Sequence, residues 1–294
     1  MLPITERYLA DYVRALDEVG SQADLYGALL SWQWSRRAEL EDVVSDLNNS
    51  CGLEGPGKFL IHPPTTAVGS LAGIVVVAAN PGWDARRNPL ERAYRSASRE
   101  QNRALSESLF IRYPLVTGGT SGWWTKVLKL GVTAYGDRAA LELSGRELWS
   151  HVHSSGYPIG GVDLVPFHSS KDHITRRLLA VHPIPAIGVL RDVAVSTLRM
   201  ALRLKPKLLL VASPAGSKLI ASLAQPSREN ILELDGVRSD CLEGGPWDLV
   251  RFYRDQQGVR VLTFPQQIFS MSWRAPAGFA PETFASIVRG AMRD

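Results

Sequence analysis

Asn80, Asp163, His168 and the Gln266–Gln267 pair are side chains that chemistry could use, and each follows an apolar run. "GIVVVAANPGWD" (73–84) ends on Asn80, Pro81, Gly82 and Trp83. "GGVDLVPFHSS" (160–170) carries Asp163, Phe167, His168, Ser169 and Ser170. "VRVLTFPQQIFS" (259–270) carries Phe264, Gln266 and Gln267. An amide is a poor base but a good hydrogen-bond acceptor, so Asn80 can hold a water or simply brace the turn before Pro81. An ionised Asp only accepts, so Asp163 matches an amino group and repels a carbonyl; it equally suits capping backbone or pairing with an Arg. Gly82 leaves space beside Asn80, supplies a positive φ, or both. Trp83 suits stacking on a planar ring as well as it suits a core.

Arginine is concentrated after the first of these segments. Arg86, Arg87, Arg92, Arg95, Arg99 and Arg103 stand among Asp84, Glu91, Glu100 and Glu107. Arg92, Arg95, Arg99 and Arg103 recur at three- and four-residue steps and so share a helix face. Phosphate contact and a solvated helix face are both open readings. Ser213 and Arg274 are two further candidates for phosphate or nucleic-acid contact. His151 and His153 have the spacing of metal ligands on a strand, but no third ligand accompanies them, so no metal is expected.

The elements that must position these groups read as α/β. The chain has 294 residues, 45% hydrophobic and 21% charged, an ordinary globular composition. Four uninterrupted apolar runs, 73–80, 160–167, 206–213 and 259–266, are expected as strands covered on both faces. Helical patterns lie between them, at 184–204 and 216–224, and a last helix "PETFASIVRGAMRD" follows. The expected fold is therefore a central four-stranded parallel sheet flanked by helices on both faces. Its ligand site should lie beyond the C-terminal ends of the strands, where the polar residues gather. Helices are expected at 5–19 and 22–47, and the Gly/Pro-rich stretch 51–64 reads as a link. The division is an N-terminal helical extension, 1–65, and an α/β domain, 66–294.

The net charge of +4 suits a polyanionic partner without requiring one. Cys51 and Cys241 are the only cysteines, too few for a four-thiolate metal or iron–sulfur site, and two reduced thiols are expected. "MLPITERYLADYVRALDEVG" has no apolar signal-peptide core, and no run approaches a membrane span of roughly 20 residues. A cytoplasmic protein with no membrane association is expected.

Taken in order, these segments resemble the uracil-DNA glycosylase superfamily. "VVVAANPGWD" is similar to its first motif, in the Asn-Pro-Gly branch that includes thymine/mismatch-specific and single-strand-selective glycosylases. "GVDLVPFHSS" resembles the second motif, "LLLVASPAGSKLI" the third strand and helix start, and "TFPQQIFS" stands at the last motif. The resemblance covers roughly residues 70–294 and leaves 1–65 unexplained. It implies a monofunctional enzyme that flips a base out of DNA and hydrolyses its N-glycosidic bond, without a cofactor or metal. DNA, double-stranded with a flipped base, is the implied partner, and no obligate protein partner is inferred. Asn80 would orient the water. Pro81, Gly82, Trp83, Asp163, Phe167, His168 and Phe264 would form the base pocket. Arg86, Arg87, Ser169, Ser170, Ser213, Gln266, Gln267 and Arg274 would contact DNA.

Three departures carry information. Gly82 stands near where uracil-specific relatives place a Tyr that blocks C5 substituents. Asp163 replaces the Asn that reads uracil in many relatives, and an acceptor there matches the cytosine amino group. Phe264 replaces a His that would stabilise the leaving base. Bulky modified cytosine, such as glucosylated hydroxymethylcytosine in phage DNA, is the expected substrate, with antiviral defence as the role. Repair of uracil or mismatched thymine is the alternative. A catalytically silent DNA-binding module is another, favoured by Phe264. An unrelated nucleotide-binding enzyme ranks low because no Gly-rich phosphate loop is present.

Overall fold

A computed structural model of the chain describes residues 2–24, 36–51, 65–68, 71–78, 122–165, 185–223, 225–226, 251–264 and 281–293. The strands are β1 (Thr65–Val68), β2 (Ile74–Ala78), β3 (Ile159–Asp163), β4 (Leu208–Val211), β5 (Gln225–Pro226), β6 (Arg251–Arg254) and β7 (Arg260–Thr263). They form one sheet in the order β1-β3-β2-β4-β7-β6-β5. The four apolar runs are its centre: β3, β2, β4 and β7 pair in parallel. The sheet is larger than the four strands expected. β1 adds antiparallel to β3, and β6 and β5 extend the other side antiparallel. These additions are short and polar, "TTAV", "QP" and "RFYR", as edge strands tend to be, and so give no apolar run to read.

Among the described residues, seven longer helices surround the sheet: α1 (Pro3–Glu18), α2 (Arg37–Cys51), α3 (Gly122–Ala134), α4 (Gly145–Ser154), α5 (Pro185–Arg203), α6 (Pro214–Leu223) and α7 (Pro281–Met292). Strand side chains alternate between two cores. Val75, Val77, Val162, Leu209, Val211 and Val261 meet α1, α2, α5 and α6. Ile74, Val76, Ile159, Leu208, Leu210, Leu262 and Phe264 meet α3, α4 and α7. Both faces of the central strands are covered, which is why β2 (IVVVA) and β4 (LLLV) are apolar at every position instead of at alternate ones.

The N-terminal helix is built into this core. Tyr8, Leu9, Tyr12 and Leu16 lie on one face of α1, and all are at most 1% exposed. Arg203 of α5 donates to the Leu16 and Val19 carbonyls at the end of α1, at 2.7 and 3.2 Å. Asp46 of α2 accepts the Leu2 amide at 2.7 Å. Arg36 pairs with Asp11 and Glu39 and lies 5.3 Å over the Tyr8 ring. The single helix expected over 22–47 is described only as a three-residue α-helical segment at Gln22–Asp24 and as α2, with 25–35 outside the described residues. The link expected at 51–64 also lies outside them, apart from Cys51 at the end of α2.

Part of the positive charge excess serves the fold. Besides Arg203, Arg289 donates to the Thr133 and Ala134 carbonyls ending α3, and Arg260 to the Ala291 and Arg293 carbonyls ending α7. A cation at a helix C-terminus meets both unsatisfied carbonyls and the negative end of the dipole.

His151 and His153 lie on α4, not on a strand. Leu148, Trp149 and Val152 bury one side of that helix, so the period is helical despite the alternating look of "HVH". Residues two apart on a helix point about 200° from each other, so the two imidazoles cannot share an ion. His151 Nε2 is instead 2.6 Å from Asp137 Oδ2, which also accepts the Tyr157 hydroxyl at 3.0 Å. His151 beside Asp137 is the main cause holding that carboxyl below the usual carboxylate range. No cluster of three or more metal-ligating side chains is present among the described residues. None of the described helices is long and apolar enough to cross a membrane.

Candidate functional site

The chain leaves β2 toward β3 on one side, and leaves β4 toward β7 on the other. The topological switch point therefore falls between the C-terminal ends of β2 and β4, the usual ligand position in such sheets. Pairing persists to the strand tips. The Leu164 amide donates to the Ala78 carbonyl (3.0 Å), Ala212 to Val77 (3.0 Å) and Phe264 to Val211 (3.1 Å). Asp163 is paired with Ala78 in register. The continuing register sets Ala212 beside Ala78 and Phe264 beside Ala212.

Asp163, Ala78, Ala212 and Phe264 thus form one row across four strands. Alternation places all four on the α3/α4/α7 face. Strands lie about 4.8 Å apart, so the row spans about 14 Å. Two alanines stand at its middle, with a carboxyl at one end and a core aromatic ring at the other. Asn80 follows Ala78, and Gln266 follows Phe264, by two residues of chain, a reach of at most about 7 Å.

Asp163 has the most unusual electrostatics here. It is half-buried, and burial pushes its carboxyl up to about 7. Tyr12 of α1 is nearby: burial first, then the charges of Tyr8 and Asp163, raise its phenol well above the ordinary value. The N-terminal helix therefore reaches the same strand tip as the carboxyl. Trp124, in the first turn of α3, also approaches β3. A Cβ built on Gly161 would lie 1.9 Å from its Cη2. At the other end of α3, a Cβ on Gly131 would lie 2.3 Å from Ile159 Cδ1, so α3 runs antiparallel to β3 and starts near the carboxyl edge.

The raised pKa has a consequence for stability. An unfolded Asp titrates near about 3.9. Between that pH and about 7 the folded chain binds the proton more tightly, so the Asp163 contribution to stability falls as pH rises through this window. Asp163→Asn removes the penalty. Its melting temperature relative to wild type is expected to rise between about pH 5 and about pH 8. An identical difference at both pH values contradicts the assignment.

Of the residues that the sequence assigned to the site, Asp163, Phe264 and Ser213 lie among those described. Phe264, at the far end of the row, is 2% exposed and packs in the core between the sheet and α3, α4 and α7. Ser213 is buried and caps α6: its hydroxyl accepts the Gly216 amide at 3.4 Å and its carbonyl the Ser217 amide at 2.8 Å. That capping accounts for the "ASPAGS" segment, with Pro214 in the first helical position. Asn80, Pro81, Gly82, Trp83, Arg86, Arg87, Phe167, His168, Ser169, Ser170, Gln266, Gln267 and Arg274 lie outside the described residues, as do Arg92, Arg95, Arg99 and Arg103. Tyr12 and Trp124 are the neighbours that sequence did not assign to the site. Tyr12 carried only the signal of an apolar helix face, and Trp124 none that distinguishes it from a core residue.

No family model matches the chain, and neither does any curated protein or solved structure.

Proposed function

We propose that the chain is a DNA glycosylase whose base niche is the carboxyl edge of the sheet. The observation that carries this reading is the row Asp163–Ala78–Ala212–Phe264 at the topological switch point, with a carboxyl that burial pushes up to about 7 at its end. Each of the four motif segments contributes one member of this row: Ala78, Asp163, Ala212 and Phe264. Asn80, two residues past Ala78, orients the water that attacks the sugar carbon. The sugar gains oxocarbenium character while the base leaves as an anion, so placement of the water matters more than basicity, and fixed dipoles stabilise the charge. The base reaches the niche by leaving the helix, because its glycosidic bond is inaccessible inside a duplex.

Asp163 reads the base edge. Ionised, it accepts from the cytosine N4 amino group and repels uracil O4. Neutral, it can donate its O–H to cytosine N3 while its carbonyl accepts from N4. A neutral acid can also satisfy uracil, by accepting from N3–H and donating to O4. Discrimination for cytosine over uracil should therefore sharpen as pH rises through about 7. Bulky modified cytosine remains the substrate class this reading favours, because Gly82 offers no side chain against a C5 substituent.

Phe264 favours a second reading. Its ring is committed to the core at the position where a His would assist the leaving base. A silent module on this fold would bind DNA with strong salt dependence and leave it intact. Alkaline cleavage of treated DNA separates the two: a glycosylase leaves alkali-labile abasic sites, and a silent module leaves none.

A further inference from the structure

Three helices end on the amino edge of the sheet with the same turn. The second residue past α3, α4 and α5 takes a left-handed backbone: Gly136 at φ +90°, Gly156 at φ +66° and Lys205 at φ +50°. Each amide donates to the carbonyl three residues back, of Thr133, His153 and Leu202, at 2.9, 3.1 and 2.9 Å. This is the common glycine-bearing helix stop. Nothing crowds a Cβ at Gly136 or Gly156, so the backbone alone asks for glycine there. Lys205 meets the same demand with a side chain, and is the one non-glycine at positive φ among the described residues. Strain of this kind is a pointer to function.

Nothing among the described residues uses the Lys205 ammonium. The side chains of Lys205 and Lys207 are exposed, and neither makes a hydrogen bond or ion pair among the described residues. Arg203 already places a cation in the last turn of α5, so the helix dipole does not require a second. Parallel pairing sets Lys207 beside Val259, next to Arg260, which faces Arg254 across the β6–β7 pair. Two carboxylates of this edge are engaged: Asp17 lies 3.9 Å from Arg203, and Asp255 Oδ1 accepts the Gln257 and Val259 amides at 2.9 and 2.6 Å. The exposed residues around Lys207, which are Ala72, Gln256, Gln257 and Gly258, offer no large apolar anchor for a folded protein.

We propose that Lys205 and Lys207 form a contact surface for the phosphate backbone of a nucleic acid, on the edge of the sheet opposite Asp163. A lysine meets a phosphate as a point charge, and counterion release supplies affinity without an apolar core. Lys205 keeps its strained place because glycine there would remove a charge from the surface. The surface does not depend on the glycosylase reading, and its test does not use base release.

Binding of a short fluorescent DNA duplex to the full chain is followed by anisotropy across a salt series. Wild type is compared with Lys205→Gln, Lys205→Arg, Lys205→Gly, Lys207→Gln and, as a charge control on the exposed side of α5, Arg199→Gln. Lys205→Gln and Lys207→Gln should each lose about threefold or more in affinity, and the slope of log affinity against log salt should shrink by about 1. Lys205→Arg and Arg199→Gln should stay within about twofold of wild type. Lys205→Gly should bind as weakly as Lys205→Gln yet melt about 2–4 °C above it, because both lack the charge and only Gln keeps the strain. Unchanged affinity and slope in Lys205→Gln and Lys207→Gln overturn the proposal, as does an equal loss in Arg199→Gln. Lys205→Gly melting no higher than Lys205→Gln also overturns it. Weakened binding of polyglutamate with DNA binding unchanged overturns the nucleic acid as partner and gives the edge to an acidic protein.

Discussion

Tyr12→Ala is expected to destabilise the chain by about 3–5 kcal/mol, measured by denaturant unfolding. Tyr12 is 1% exposed and belongs to the same core as Val77, Val162, Leu164 and Val211. Truncation removes a large aromatic from a site closed by the sheet, α1 and α5, and little can move in to fill it. The Arg203 contacts to the Leu16 and Val19 carbonyls hold α1 in place around the gap. The effect matters beyond stability. If α1 were a detachable addition, the change would cost less than about 1 kcal/mol, as at most surface positions. A large loss in one cooperative transition would show that residues near the N-terminus support the strand tip carrying Asp163.

The second large effect belongs to Asn80. Asn80→Ala should lower base release by a factor of roughly 100 to 1,000, the usual result of deleting one placed polar group at a reacting centre. DNA binding should change by less than about threefold, because an amide holding water makes its contribution in the transition state. Base release equal to wild type contradicts the assigned role. Equal losses of binding and of release would instead mark Asn80 as a support of the turn before Pro81, the alternative its position allows.

Much of the sheet was legible in the sequence because its central strands are covered on both faces. Val75 to Val77 and Leu208 to Val211 are apolar at every position, and nothing local competes with that reading. The edges were not legible for the converse reason. β6 is "RFYR", where Phe252 is buried and Arg251 exposed, and a strand paired on its outer side by only two residues needs no apolar run. "HVH" misled because a short stretch of alternating polarity suits a strand, whereas the helical period of Leu148, Trp149 and Val152 needs a longer window to be seen.

The site was legible only along single strands. Asp163 stood out as a polar residue closing an apolar run, and its place at the carboxyl edge follows from parallel pairing. Its neighbours did not stand out, because the nearness of Tyr12 to Asp163 depends on how α1 packs across 151 residues of intervening sequence. Trp124 was hidden for the same reason. Only the closeness of α3 to β3, which Gly131 and Gly161 admit, brings Trp124 onto the strand. Ser213 shows the opposite case: a residue conspicuous beside a strand end is explained by the helix it starts.

The central claim is that the carboxyl edge of the sheet holds an extruded base and severs it from its sugar. Mass spectrometry of the small molecules freed from DNAs carrying cytosine, uracil, mismatched thymine, hydroxymethylcytosine or its glucosylated form tests this most directly. The account predicts a free modified cytosine from wild type and none from Asn80→Ala. Failure of folded wild type to free any base from any of these DNAs would contradict it.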